Sequence, residues 1–193
     1  MRKSRKLTLN GTGIFHKMWK GHNGSFILDD HAEKTDYLTQ LALARDTSTV
    51  EKIEWHSFCL MGNHVHETGR IHMDTDDGNF HDGIKELGNW MRRGHARFGA
   101  RHNKRHGRTG KVANERPQTR EIQDDANLLK VMFYGDANPV RAGMVAHPAN
   151  YRSVFNLSVL CLREKVCAYR EPNSARGISV PGKNHSSKTK KVS

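Results

Sequence analysis

Residues 50–73 limit most what this chain can fold into. VEKIEWHSFCLM (50–61) and HVHETGRIHM (64–73) are rich in β-branched, aromatic and other apolar residues, and Gly62-Asn63 between them is turn chemistry. Two strands joined by so short a link pair antiparallel, so the chain has a sheet near its middle that the remaining elements must cover. On the second strand, His64 and His66 are two residues apart and share a face, while Val65 points the other way. Adjacent imidazoles can chelate one metal ion; they suit Zn, Mn, Fe, Co or Ni, and Mg where the other ligands are oxygens. The chain has 13 histidines, so such a pair also arises with no metal. His72 shares the face but lies near ~20 Å away at strand rise, and reads as a bystander. His16, His22, His31, His81, His95, His102, His106, His147 and His185 read as solvated or phosphate-facing. Glu67 falls on the face of Val65, where it needs a partner or an edge position.

The flanking sequence supplies the rest of an α+β order. Residues 13–20 predict a first strand, followed by a turn at Gly21, Asn23 and Gly24. A helix follows, capped by Asp29 or Asp30, with Tyr37, Leu38, Leu41 and Leu43 or Ala44 as its stripe. Residues 80–103 predict a long helix weakened by Gly83, Gly88, Gly94 and Gly99. The stretch 104–121 is irregular, with room for one short strand. Residues 124–137 predict a helix ended by Asn138-Pro139. On its wheel Leu128, Leu129, Met132 and Phe133 form the core arc. Tyr134 falls opposite, beside Asn127, Lys130 and Asn138, free for chemistry. Asn138 is one turn further on, where its amide oxygen can serve as a hard ligand. The expected organisation is a basic arm (1–12), a folded domain (13–162) and a basic, disordered tail (163–193).

Charge narrows the partner. Lys and Arg total 32 against 20 acids, a formal net charge of +12, which favours nucleic acid ahead of membrane. Three cysteines without a CxxC pair argue against a disulfide framework or a thiolate zinc site and fit a reducing cytoplasm. There is no apolar run of the ~18 residues that a membrane span needs. Arg92, Arg93, Arg97, Arg101, Lys104, Arg105 and Arg108 lie on and just after the long helix, where cations can follow phosphates. Trp90 and Phe98 beside them can stack on unpaired bases or fill the core.

Three segments resemble one family. Met61-Gly62-Asn63-His64-Val65-His66, Asn103-Lys104-Arg105-His106-Gly107-Arg108-Thr109-Gly110 and Asn138-Pro139-Val140-Arg141-Ala142-Gly143, in this order and spacing, are similar to motifs of the REP-associated tyrosine transposases. These belong to the single-tyrosine HUH class, and the similarity spans about residues 13–155. The resemblance implies a ferredoxin-like antiparallel sheet packed by helices, the HUH endonuclease fold. It implies His64 and His66 as metal ligands with Asn138 as a third, Tyr134 as nucleophile, and Mg or Mn as the divalent ion. The implied substrate is single-stranded DNA with hairpin or repeat structure, cut and rejoined through a 5′-phosphotyrosine. The implied setting is cytoplasmic and nucleoid-associated, and the class includes both homodimers and proteins that act alone. Gly62 stands where the family has Pro, Glu67 and Thr68 where it has apolar residues, and Gly135 where it has a β-branched residue after the tyrosine. The segment 111–120 lacks the family's aromatic pattern. The departures at Glu67 and Gly135 favour an alternative, a catalytically impaired, transposase-derived DNA-binding protein. An RNA-binding structural protein is a third class, suggested by charge alone.

Overall fold

The structure is a computed structural model describing residues 12–45, 52–72, 81–113 and 116–156. Five strands form one antiparallel sheet: β1 (Ile14–Lys20), β2 (Ile53–Leu60), β3 (His64–Ile71), β4 (Gln118–Glu121) and β5 (Val154–Asn156), ordered β4-β1-β3-β2-β5. Helices α1 (His31–Ala44) and α2 (His81–Arg105) are inserted after β1 and β3, and α3 (Asp125–Arg141) follows β4. The first six elements therefore run βαββαβ with the central pair β1–β3, which is the expected ferredoxin-like arrangement.

Strand alternation separates two faces. Phe15, Trp19, Val65 and Ile71 point to α1 and α2, where they join Tyr37, Leu41, Trp90 and Phe98 in the main core. Ile14 points the other way and packs with Ile122 and Leu128 in a smaller cluster beneath α3. Helix α1 begins where Asp30 accepts the Glu33 amide at 2.7 Å, so the cap is the second of the two candidate aspartates. The glycines of α2 have a packing reason at two positions. A Cβ on Gly94 would stand 2.5 Å from Leu41 Cδ2, and one on Gly83 2.1 Å from Ile71 Cγ2. Small residues there let α2 press against α1 and the end of β3.

Helix α3 differs from its sequence reading in two ways. It continues through Asn138-Pro139 to Arg141. Proline removes the amide that would bond to the Gly135 carbonyl, and the helix tolerates that loss in its final turn. Its sheet-facing side is also not the Leu128-Leu129-Met132-Phe133 arc. Leu128, Gly135, Asn138 and Pro139 are buried, Met132 is half-buried, and Leu129 and Phe133 are 55% and 69% exposed. The wheel ranks residues by hydrophobicity, but this helix covers a polar sheet face and turns its small and amide residues inward. The β2–β3 hairpin forms as expected, with Met61 N donating to His64 O at 2.9 Å. Its turn is fastened to the loop after β1: Gly21 N donates to Asn63 O and Leu28 N to Gly62 O, each at 2.8 Å. Strand β5 is an addition that the sequence reading lacks; it borders β2. The arm (1–12, apart from Thr12) and the tail (163–193) lie outside the described residues.

Candidate active site

The face of the sheet under α3 gathers the chemistry. His64 and His66 project from β3 with ring centroids 4.9 Å apart and planes at 87°. The His64 Nδ1 lies 2.6 Å from Asn63 Oδ1. An amide oxygen only accepts, so Nδ1 of His64 carries the proton and Nε2 keeps its lone pair. His66 is buried, and its Nδ1 lies 2.9 Å from His16 Nε2 on β1. Burial first, then the neighbouring His16 and His64, push the pKa of His66 down to about 3. Burial and Lys20 likewise lower that of His64. Both rings are thus neutral at ordinary pH, the form that ligates metals.

Tyr134 is delivered to the same place by α3. Asp124 caps the helix by accepting the Asn127 amide at 2.7 Å, and Arg70 of β3 bonds Asp125 at 2.9 Å, tying the helix start to the strand of the histidine pair. Gly135 passes over Cys59 of β2, where a Cβ would sit 3.7 Å from the cysteine Cβ. The Tyr134 ring then meets His66 edge to face at 5.7 Å. It is 44% exposed, and the Arg141 guanidinium stands 5.8 Å from its ring centre. Asn138, one turn on, is 9% exposed, and its buried amide nitrogen has no hydrogen-bond partner among the described residues. Two neutral imidazoles with Nδ1 engaged leave two Nε2 lone pairs on one face, which suits a divalent ion. His64 and His66 would be the groups to hold it; the unpartnered atom of Asn138 is a donor, so it adds no support for the third ligand that the resemblance implies.

Several histidines read as bystanders are not. His16 bonds His66. His95 stacks on Trp19 at 4.2 Å and lies 3.2 Å from the Tyr37 hydroxyl. His102, 2% exposed, and His106 both bond Glu33, at 3.1 and 2.7 Å. The i, i+4 spacing of His102 and His106 was visible in the sequence; their meeting with Glu33 on α1 was not. Glu33, His102 and His106 hold potential ligand atoms within 4.8 Å of one another, a spacing that could hold a metal ion. Arg105 occupies the same Glu33 oxygen at 2.6 Å, so a cation is already in place there.

The cations of α2 fall on the far side of the sheet from the histidine pair. Arg93 donates to Ala44 O, Arg97 to Gln40, Arg101 to Asp36, and Arg105 to Glu33 and Asp36. Spaced four apart, they form a ladder that ties α2 to α1. Arg92 instead lines a cleft of about 460 Å³ with Asn103, Lys111 and Arg116. Lys104 and Arg108 are exposed. Trp90 and Phe98 are fully buried, and the Trp90 indole donates to Leu41 O at 2.7 Å, so neither ring can stack on a base.

The class that this geometry defines is a ferredoxin-like sheet with a neutral histidine pair on one face and a tyrosine-bearing helix above it. In structure the chain is similar to a REP-associated tyrosine transposase solved bound to a REP hairpin. The superposition covers 97% of this chain and 100% of the other, with a TM-score of 0.52 and 14% identity. That neighbour bears the family name that the three sequence motifs suggested. A Deinococcus radiodurans protein assigned as a transposase matches over 69% of this chain and 95% of its own, at TM-score 0.38 and 19% identity. No family model matches the chain, and no relative is found among curated proteins. Among the described residues, no helix is long and apolar enough to cross a membrane.

Proposed function

We propose that the protein is a transposase-like endonuclease and strand transferase acting on single-stranded DNA. The observation that carries this reading is the placement of Tyr134 against His66, on the one sheet face where both β3 histidines keep a ring nitrogen uncommitted. A divalent ion, Mg or Mn, would supply Lewis-acid stabilisation of a non-bridging oxygen of the scissile phosphate. Tyr134 Oη attacks phosphorus in line. Tyr134 gives its phenol proton to solvent as the Oη–P bond forms, the P–O3′ bond breaks, and the 3′ oxygen takes up a proton from solvent and leaves as a hydroxyl. Arg141 beside the tyrosine ring offers the phosphate a cation. The reverse attack by another 3′-OH rejoins strands without ATP, because the phosphotyrosine conserves the bond energy. A hairpin-forming strand is the natural substrate by analogy with the structural neighbour, which was solved with a REP hairpin.

The reading of an impaired, purely DNA-binding descendant drew on Glu67 and Gly135. Glu67 lies on the opposite sheet face from Tyr134, and even a Cβ added at Gly135 would make only an ordinary contact with Cys59, so neither intrudes on the site. The test is incubation of the full chain with labelled single-stranded hairpins and Mn, followed by denaturing electrophoresis. A protein–DNA adduct that survives denaturation and disappears in Tyr134→Phe is expected. An adduct that persists in Tyr134→Phe assigns the nucleophile elsewhere, and its absence from the wild type on every hairpin favours the binding-only descendant.

A further inference from the structure

His16 and His66 lie on neighbouring strands but not opposite one another. In the β1–β3 register Met18 faces His66, and His16 faces Thr68. The two histidines are diagonal neighbours on one face, within reach for long side chains. Their rings are nearly parallel, 11° apart, with centroids separated by 5.1 Å. The His16 Nε2 to His66 Nδ1 distance is 2.9 Å. Rings stacked face to face with so short an N···N contact would bring their centroids much closer. The three values agree only if the rings lie end to end in almost one plane, each nitrogen aimed along the other's in-plane lone-pair direction. That is hydrogen-bond geometry. It also means that Nε2 of His16 points at His66 and not at a shared ion. His16, His64 and His66 do not form a three-histidine cluster of ligand atoms either; the one such cluster among the described residues is Glu33, His102 and His106.

We propose that His16 is a positioning residue for His66: its Nε2 accepts the His66 Nδ1 proton, fixing the ring's orientation and leaving Nε2 of His66 as the metal-binding atom. The heavy atoms allow either ring to donate, but a metal on Nε2 of His66 admits only this direction. Asn63 does the same for His64, so each imidazole of the pair has its own acceptor behind it. A backing acceptor of this kind orients a ligand and raises its basicity, and its loss typically weakens metal binding about 10–100-fold. The nucleophile shares in the arrangement, since the edge of the Tyr134–His66 contact depends on where the His66 ring is held. The proposal rests on the metal reading of the site, and its test separates the two.

Nitrogen-15 NMR of the wild-type protein above neutral pH, without metal and with diamagnetic Mg, reads the His66 tautomer directly. The expected spectrum shows His66 protonated at Nδ1. His16→Phe, which keeps a ring but no acceptor, should lose that preference and weaken Mn binding, measured calorimetrically, by about 10-fold or more. His16→Gln, whose amide oxygen can accept, should restore most of both. A wild-type His66 protonated at Nε2 overturns the assignment, and this result needs no variant to fold. So does a folded His16→Phe that binds Mn within about twofold of wild type. If the wild type binds no Mn while the Nδ1 tautomer is present and lost in His16→Phe, the metal reading fails and the positioning role stands.

Discussion

Lys17 and Glu67, directly opposed in the β1–β3 register, form an ion pair buried under the sheet, with side chains 2% and 1% exposed. Glu67 also accepts the Tyr37 hydroxyl at 2.7 Å. Burial outweighs the attraction of Glu67 and lowers the pKa of Lys17, while burial and Glu67 raise that of Tyr37 well above the ordinary phenol. A carboxylate that looked misplaced on a core-facing position is therefore satisfied from two elements.

Removing one partner of this pair should cost more than removing both. Lys17→Met leaves an uncompensated buried carboxylate and is expected to destabilise by about 3–5 kcal/mol. The double variant Lys17→Met/Glu67→Leu should recover a large part of that loss, although Tyr37 then needs another partner. Urea unfolding of the four proteins in the cycle measures it. A double variant as unstable as Lys17→Met would show that the pair is not independent of the surrounding packing.

His64→Ala and His66→Ala should each eliminate adduct formation, and excess chelator should do the same to the wild type. Neither ring contributes to the main core, so thermal unfolding should stay close to wild type. Cleavage that survives chelation would rule out a metal-dependent mechanism.

The cations of α2 should divide into two groups. Arg101 spans to Asp36 at 2.7 Å, so Arg101→Ala should cost up to about 1 kcal/mol of stability, since its own side chain is largely in solvent. Arg92, on the cleft with Lys111 and Arg116, has no place in the ladder. Arg92→Ala should leave stability within about 0.5 kcal/mol and reduce the salt dependence of single-stranded DNA binding by roughly 0.7 in slope. Binding isotherms at several salt concentrations, alongside melting curves, distinguish the groups; equal effects of the two variants on both measurements would contradict the division.

Glu33 gives the acid limb of the stability curve a definite sign. Burial acts to raise its pKa, but hydrogen bonds from His106, Arg105 and His102 together outweigh it, and the net shift is downward. Asp30, the cap of α1, and Asp36 within it are the nearby acids, and Asp36 also takes Arg101 and Arg105. A carboxylate whose folded pKa is depressed contributes stability above its unfolded value near ~4.3, and that contribution is lost as pH falls through the folded value. Glu33→Gln should lower stability at neutral pH and flatten its decline below pH ~4. Unchanged steepness of that decline would remove Glu33 as its source.

What the sequence revealed follows from how local each signal was. The β2–β3 hairpin and the shared face of His64 and His66 depend on a two-residue period and one turn, and both were legible. Tyr134 lies away from Leu128 as the wheel placed it, but the wheel set it opposite the core, and the structure turns it to His66 on the sheet. The inward side of α3 was not legible, because a helix over a polar surface need not bury its most apolar arc, as the exposed Leu129 and Phe133 show. His16 was missed for another reason: its tie to His66 depends on strand register and diagonal reach, which no single segment encodes. The arginine ladder had visible four-residue spacing, but its acceptors Asp36, Gln40 and Ala44 lie on α1.

The alternation along β3 has an evolutionary consequence. Val65 and Glu67 hold the molecule together, while His64 and His66 face the candidate site, and the two sets share a strand without sharing neighbours. Selection can therefore act on them independently. If the proposed DNA cleavage were no longer needed, His64, His66 and Tyr134 could be lost one by one without disturbing the main core. The chain would keep a rigid, basic scaffold ready for a new use.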